Sequence, residues 1–380
     1  MDFLLSAVAD CGYEVALWAE QDDPVDRLPL TVPERASRWC AATDGVEASV
    51  SALERWAPSV LLVHGMVDET LEARLLGLAP AVFVAHTYTG TCISGGKTLV
   101  FPRARPCDRQ FGPACLALFY PRRCGGLSPV TMVRDYRRQM RRLDTIRSYA
   151  RVLTLSEHMR HEYVRHGLAP DRVRALPAYR PAQPASQSPI DPGPHDVPTL
   201  LFLGRMDRLK GCHLLMDALP IVQVRLGSRL RLVIAGDGPD RTRCEERAAR
   251  VRSSQIEVEF RGWVDAAGRA QALAETDVVV LPSLWPEPYG LSGLEAAATG
   301  VPVAAFRVGG IPEWLHEGIG RTAPADPPTA AGLAEAIAGC LSMTRRASAT
   351  LDTLRDEQTR HVAALIAALD EAASQAPPAA

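Results

Sequence analysis

The sequence predicts an α/β protein of two doubly wound domains that face each other across a cleft, and three observations predict it. From Thr199 onward, short apolar and β-branched runs alternate with helix-length amphipathic ones: Thr199 to Leu203, Leu230 to Ala235, Ile256 to Phe260, Asp277 to Leu281 and Val301 to Phe306 read as strands. Runs buried on both faces and separated by helices demand a parallel sheet, because parallel neighbours need long crossovers. The first half repeats the pattern less regularly, with strands expected at Glu14 to Trp18, Val60 to His64, Ala81 to Ala85 and Val152 to Leu155. Between the halves runs PAYRPAQPASQSPIDPGPHDVP, Pro177 to Pro198, whose prolines forbid a helix and whose polar residues leave nothing to bury. Two such domains on a hinge set a cleft between the carboxyl ends of both sheets, where doubly wound sheets bind ligands.

The expected organisation is therefore an N-terminal domain over residues 1–180 with a cysteine-containing insertion at 90–128, and a proline-rich linker over 181–198. A second domain over 199–344 follows, then a C-terminal segment over 345–380, helical to about Ala373 and ending in a disordered PPAA. Hydrophobic residues make up 47 % and charged ones 23 % of the 380, which excludes global disorder. A formal net charge of −2 gives no basis for a nucleic-acid partner. No run approaches the roughly 20 apolar residues of a membrane span, and the N-terminus lacks the marks of a secretory leader, so a cytoplasmic location is expected. The stretch from Arg122 to Arg151, with Arg137, Arg138, Arg141 and Arg142, reads first as a solvated helix face. Its alternative is peripheral contact with anionic lipid or a phosphorylated acceptor. Only two of the 42 basic residues are lysines, Lys97 and Lys210, so each lysine draws notice.

Two segments carry chemistry. After the strand ending at Leu203 comes GRMDRLKG, Gly204 to Gly211, followed by an apolar-periodic helix. Glycines allow close backbone approach, the helix start offers free N–H groups and a positive dipole end, and Arg205 and Lys210 add two charges, a combination suited to a diphosphate. It is not a P-loop, whose glycine spacing and final Ser or Thr are absent. Taken alone, a turn with two surface cations is an equal reading. The sharper segment is PSLWPEPYGLSGLEAAATGVPVAAF, Pro282 to Phe306, which joins a strand to a helix expected from about Ser292. Glu287 and Glu295 flank Gly290, Leu291 and Ser292, whose N–H groups at a helix start can receive phosphate oxygens, while ionised carboxylates suit sugar and ribose hydroxyls.

The region from Thr199 to Leu341 resembles the nucleotide-sugar domain of retaining glycosyltransferase family 4, the group 1 glycosyltransferases of GT-B fold. The matching elements are Gly204, Arg205, Lys210, Gly211, Glu287 and Glu295, with AGDGP at Ala235 to Pro239, FRGWV at Phe260 to Val264 and GGIPEWL at Gly309 to Leu315. The resemblance implies that Arg205 and Lys210 neutralise the leaving diphosphate, Glu287 holds the transferred sugar and Glu295 the ribose. It places the amides of Gly290, Leu291 and Ser292 on the distal phosphate and the loop carrying Trp263 near the base. It also implies same-face attack with retention of configuration, no required metal or other cofactor, and a nucleotide diphosphate-sugar as donor.

In the first half, FLLSAVADCGYEVALWA, VFVAHTYTG and VLTLSEHM resemble the family's N-terminal domain, and by that likeness His86 faces the transferred sugar. The family begins with a strand and glycine-rich loop before the helix at Phe3, so these are expected to be missing here, through a late start codon or loss of activity. Cys92, Cys107, Cys115 and Cys124 fall in the insertion, which with GGK at Gly95 to Lys97 is expected to shape the acceptor side. Without any C-x2-C pair they read as reduced structural cysteines, a zinc or iron–sulfur site being the alternative. The expected activity is sugar transfer to a glycan, glycolipid or small-molecule acceptor, in a role such as cell-envelope or exopolysaccharide synthesis. The rivals are a catalytically impaired nucleotide-sugar-binding partner subunit and, within enzymes, a sugar-nucleotide epimerase.

Overall fold

The structure is a computed structural model and describes residues 2–22, 32–179, 196–343 and 351–375. Most of the expected linker and the PPAA end lie outside these residues. The first helix, Asp2–Asp10, leads into β1 (Ala16–Ala19), which pairs in parallel with β2 (Ser37–Cys40) as a separate two-stranded sheet. The main N-terminal sheet contains β3 (Leu61–Val63) and β4 (Ala81–Ala85). A small antiparallel pair, β5 (Thr98–Leu99) with β6 (Arg105–Pro106), interrupts the chain before the sheet resumes with β7 (Arg151–Thr154) and β8 (Val173–Ala175). The sheet is parallel throughout, in the order β3-β4-β7-β8.

All five residues of β4 are buried, so both faces of the strand are covered. Ala81, Phe83 and Ala85 pack beneath Leu143, Ile146 and Tyr149 at the end of the long helix Pro129–Ser148. Val82 and Val84 point the other way, onto Leu365, Ala368, Leu369 and Ala372. Those four belong to the last helix, Leu351–Ala373, which thus returns from the second domain to complete the core of the first. Glu371 ties it down by pairing with Arg151 and Arg174.

The arginine-rich helix begins at Ser128, whose hydroxyl accepts from Thr131 N–H, with proline at the first helical position, where it has no N–H to lose. Arg137, Arg138 and Arg141 are exposed as expected. Arg142 is not part of the solvated face: it pairs with Glu72 of the helix Glu69–Leu76 and donates to Met66 O in the loop after β3, locking the two helices together. No helix among the described residues is long and apolar enough to cross a membrane.

The second domain holds β9 (Thr199–Leu203), β10 (Leu230–Ala235), β11 (Ile256–Gly262), β12 (Val278–Leu281), β13 (Val303–Phe306) and β14 (Gly320–Ala323). They form one parallel sheet in the order β11-β10-β9-β12-β13-β14. β14, with the sequence GRTA, has no apolar run to announce it and is held by its pairing with β13. The strand order reverses direction between β9 and β12. In such a sheet the crevice opens at that reversal, beyond the carboxyl ends of the two strands. The loops leaving β9 and β12 are GRMDRLKG and PSLWPEPYG, so this topology makes neighbours of two segments more than 70 residues apart.

Candidate functional site

Above these two loops lies a cleft of about 1080 Å³, walled by both domains. The loop after β9 is shaped by Asp207, whose carboxylate accepts from Leu209 N–H (2.9 Å) and Lys210 N–H (3.2 Å) and so forms a single tight turn. Gly211 ends that turn at φ 73°, and a Cβ there would lie 1.7 Å from Pro282 O. Only glycine lets the β9 loop rest directly on the β12 loop. Lys210 then reaches Glu287, Nζ to Oε1 2.6 Å, with the ammonium 4.8 Å from the centre of the Trp285 ring. Arg205 is exposed on the same wall, and its guanidinium has no acidic partner among the described residues.

Glu287 is 7 % exposed. Its loop is held from below by GGIPEWL: Gly310 N–H donates to Glu287 O (2.8 Å), and Trp314 Nε1–H donates to Tyr289 O (2.6 Å). The same segment reaches the other domain, because the Glu313 carboxylate accepts from Glu157 N–H (2.9 Å) and His158 N–H (2.8 Å), at the start of helix Glu157–Arg165. A carboxylate at a helix N-terminus satisfies orphan donors and meets the positive end of the dipole. GGIPEWL was matched by resemblance with no role; its role is to seat the Glu287 loop and join the domains.

The helix Leu291–Ala298 starts at Gly290, φ 77°, with no side-chain cap. Leu291 and Ser292 line the cleft, and their first-turn N–H groups have no intrahelical acceptors, leaving an anion-binding edge. Glu295, one turn on, is bridged by Arg269 at 3.2 Å, and burial holds its carboxyl above the usual range. Trp263 follows β11 on the cleft wall with 74 % of its surface open, a flat apolar platform.

His86 lies on the opposite wall, immediately after β4. Its partner, missed by the sequence reading, is His64, immediately after β3: Nδ1 of His64 lies 2.8 Å from Nε2 of His86, with rings 18° from parallel. β3 and β4 are parallel neighbours with Val63 beside Phe83, so the segments that leave them start side by side. Burial lowers the pKa of both, that of His64 to about 4 with His86 adding to the effect, so the pair is neutral at pH 7 and shares one bridging proton. The signal available was positional, a histidine after each of two adjacent apolar runs. Arg269 left no such signal, since it sits on a helix facing Glu295 across the cleft.

Every expected site residue, His86, Arg205, Lys210, Trp263, Glu287, Gly290, Leu291, Ser292 and Glu295, lines this one cleft. The four insertion cysteines do not line it.

Two facing parallel sheets with a ligand cleft at the carboxyl ends of their strands constitute the GT-B fold, the architecture of a large class of glycosyltransferases. Residues 197–343 match the family described as Glycosyl transferases group 1. Over 161 residues the chain is 36 % identical to the phosphatidyl-myo-inositol mannosyltransferase of Mycobacterium tuberculosis, covering 41 % of this chain and 41 % of that protein. The chain thus matches well under half the length of this relative. Among solved structures, sucrose-phosphate synthase from Thermosynechococcus elongatus superposes with a TM-score of 0.61 at 20 % identity, over 97 % of this chain and 89 % of that one. The Anabaena protein HepE, in complex with UDP and glucose, gives a TM-score of 0.59 at 15 % identity, over 96 % and 100 %. At these identities the likeness is one of fold.

Proposed function

We infer that the chain transfers a sugar from a nucleotide diphosphate-sugar to an acceptor, retaining the anomeric configuration and requiring no metal. The observation that carries this reading is the convergence of Lys210, Arg205 and the free amides of Leu291 and Ser292 on one cleft at the sheet's switch point, with Glu287 and Glu295 beside them. Two fixed cations and a helix start provide for a departing diphosphate what a divalent ion provides elsewhere, because charge that develops there meets donors already in place. In this assignment Lys210 exchanges part of its bond to Glu287 for phosphate oxygen, which frees Glu287 to accept from sugar hydroxyls. Glu295, steadied by Arg269, takes the ribose hydroxyls, and Trp263 covers the base. His86 closes the sugar site from the other domain.

The acceptor belongs on the N-terminal side of the cleft. Relatives named for phosphatidylinositol substrates, in Mycobacterium tuberculosis and Arabidopsis thaliana, favour a lipid-linked acceptor. The exposed Arg137, Arg138 and Arg141, with Leu127 and Val130 beside them, support peripheral contact with an anionic lipid surface.

The test is calorimetric titration, without added metal, against UDP-, GDP-, ADP- and dTDP-sugars, with Lys210→Ala as control. Binding of one donor, lost in the control, is expected. No binding by a folded chain would overturn the reading, and binding without any turnover would leave a partner subunit in place of a transferase.

A further inference from the structure

The loop that begins with His86 also aims a second side chain, Tyr88, at the boundary between the domains. The Tyr163 hydroxyl donates to the carbonyls on either side of that residue, Thr87 O at 3.2 Å and Thr89 O at 2.9 Å. Thr91 donates to Tyr88 O twice, from its N–H at 3.1 Å and from its hydroxyl at 3.0 Å. Gly90 N–H donates to Gln139 Oε1 at 2.7 Å, in a backbone at φ 77° where a Cβ would stand 3.1 Å from the backbone of Leu143. A loop bonded at each of these residues has one conformation, and in it Tyr88 is 0 % exposed. The ring does not line the cleft; it lies behind a residue that does.

That residue is Trp285. Its ring and the Tyr88 ring stand edge to face, with centroids 6.4 Å apart and planes at 89°, and His158 meets Tyr88 in the same manner at 6.1 Å and 86°. By chain Trp285 belongs to the second domain, in the loop after β12, yet it packs against the core of the first, beside Tyr88, Met159 and Tyr163. Its backbone is fastened to the β9 loop, because Leu284 N–H and Trp285 N–H both donate to Leu209 O, at 2.7 and 3.3 Å. The next residue of that loop is Lys210, whose ammonium lies 4.8 Å from the centre of the Trp285 ring. An aromatic face attracts a cation through its quadrupole, and edge-to-face pairs are directional, so a ring held on one side defines a place for the cation on the other. The Tyr88 hydroxyl has no hydrogen-bond partner among the described residues. Burial, with the charges of Glu162 and Glu287 adding to it, holds its pKa well above the ordinary range, so it has no proton to give. A buried hydroxyl left unpaired is a cost, and what this position supplies is its ring.

We propose that Tyr88 is a positioning residue of the donor site: from the first domain it fixes the Trp285 ring, and through that ring it holds Lys210 where a diphosphate arrives. The proposal rests on the reading of the cleft as a nucleotide diphosphate-sugar site. It gives the first domain a part in binding the donor phosphates, which the second domain's residues touch. When Lys210 shifts part of its bond from Glu287 to phosphate oxygen, the Trp285 face stays beside it. Diphosphate affinity therefore depends on the docking of the two domains, since parting them takes Tyr88 away from Trp285.

The experiment is calorimetric titration of the full chain with UDP, GDP, ADP and dTDP, and then of variants with the nucleoside diphosphate that binds and with its base-matched nucleoside. Tyr88→Leu removes the ring and is expected to weaken the diphosphate by about 3- to 10-fold, the worth of one directional aromatic contact. The nucleoside, which carries no phosphate, should bind wild type and variant alike. Tyr88→Phe keeps the ring and loses only the unpaired hydroxyl, so it should bind the diphosphate as the wild type does and melt at the same temperature or higher. Trp285→Leu should weaken the diphosphate at least as much, and Tyr88→Leu added to it should have no further effect, because Tyr88 acts through that ring. Wild-type diphosphate affinity in a folded Tyr88→Leu chain overturns the proposal. So does a loss in Tyr88→Phe equal to that in Tyr88→Leu, or equal weakening of nucleoside and diphosphate. Should Tyr88→Leu fail to fold, Trp285→Leu decides, and wild-type diphosphate affinity there overturns the proposal in the same way. A wild-type chain that binds none of these nucleotides removes the donor reading itself and this proposal with it, whereas the variant results touch this proposal alone.

Discussion

Glycine 309 tests whether the position of Glu287 is set from outside its own loop. A Cβ at Gly309 would lie 2.0 Å from Glu287 O and 2.6 Å from Glu287 N, in a backbone at φ 55°. Since real Cβ atoms essentially never approach closer than 3.0 Å, Gly309→Ala must push the Glu287 peptide away by about 1 Å (3.0 − 2.0). A displacement of about 1 Å at a reacting group typically costs on the order of 10²-fold in rate, equivalent to about 2.7 kcal/mol of transition-state stabilisation. The left-handed backbone and the contact together add roughly 2–4 kcal/mol of strain, which in a domain of this size lowers the melting midpoint by roughly 5–15 °C. The assay is transfer, or donor hydrolysis, with the nucleotide sugar identified by calorimetry, alongside thermal unfolding. Gly339→Ala is the control: that glycine lies in the helix Ala330–Leu341, where a Cβ meets only the Arg321 side chain at 3.2 Å. It should leave activity unchanged and melting equal or higher, because alanine favours helix by about 0.5–1 kcal/mol. Wild-type activity and melting in Gly309→Ala would refute the claim that GGIPEWL sets the site.

Three further outcomes follow from the same geometry. Lys210→Ala and Glu287→Ala should each lower transfer by about 10²- to 10³-fold with the fold intact, and wild-type rates in both would remove them from the chemistry. His64, with a pKa of about 4, is neutral in the folded chain at pH 7. Its depressed folded pKa means that the stability it contributes is full above about 6.5 and is lost as pH falls toward about 4, on the order of 2–3 kcal/mol. His64→Gln should flatten that part of the stability profile, and NMR titration of the His64 ring near pH 6.5 in the wild type would refute the assignment. Finally, Lys97→Met removes the buried partner of the Glu162 carboxylate, 6 % exposed, and leaves it the pairing with Arg165, which should cost about 1.5–3 kcal/mol in denaturant unfolding. The double variant Lys97→Met with Glu162→Leu should recover part of this, since the buried pair is then gone and Arg165, exposed, keeps its bond to Asp108 O.

Much of the second domain was legible because its strands are buried on both faces, and continuous apolar runs are a strong local signal. β9 and β10 have the expected bounds, and β11, β12 and β13 differ from them by one or two residues. β14 was not legible, since GRTA owes its conformation to β13 rather than to its own residues. Arg142 illustrates a subtler failure: on composition it belongs with its exposed neighbours, yet helix rotation turns that one position toward Glu72.

The α/β class, the strands of the second domain and the residue types of the proposed site were readable from the chain alone, because these follow from local periodicity and from chemistry that each residue carries on its own. Tertiary structure decided which of those residues meet. The reversal of strand order between β9 and β12 brings Lys210 to Glu287, the adjacency of β3 and β4 brings His64 to His86, and the returning last helix completes the first domain's core. None of these pairings is local. Each is set by sheet topology and by burial against segments distant in the chain, whose positions are fixed only once the whole core has closed.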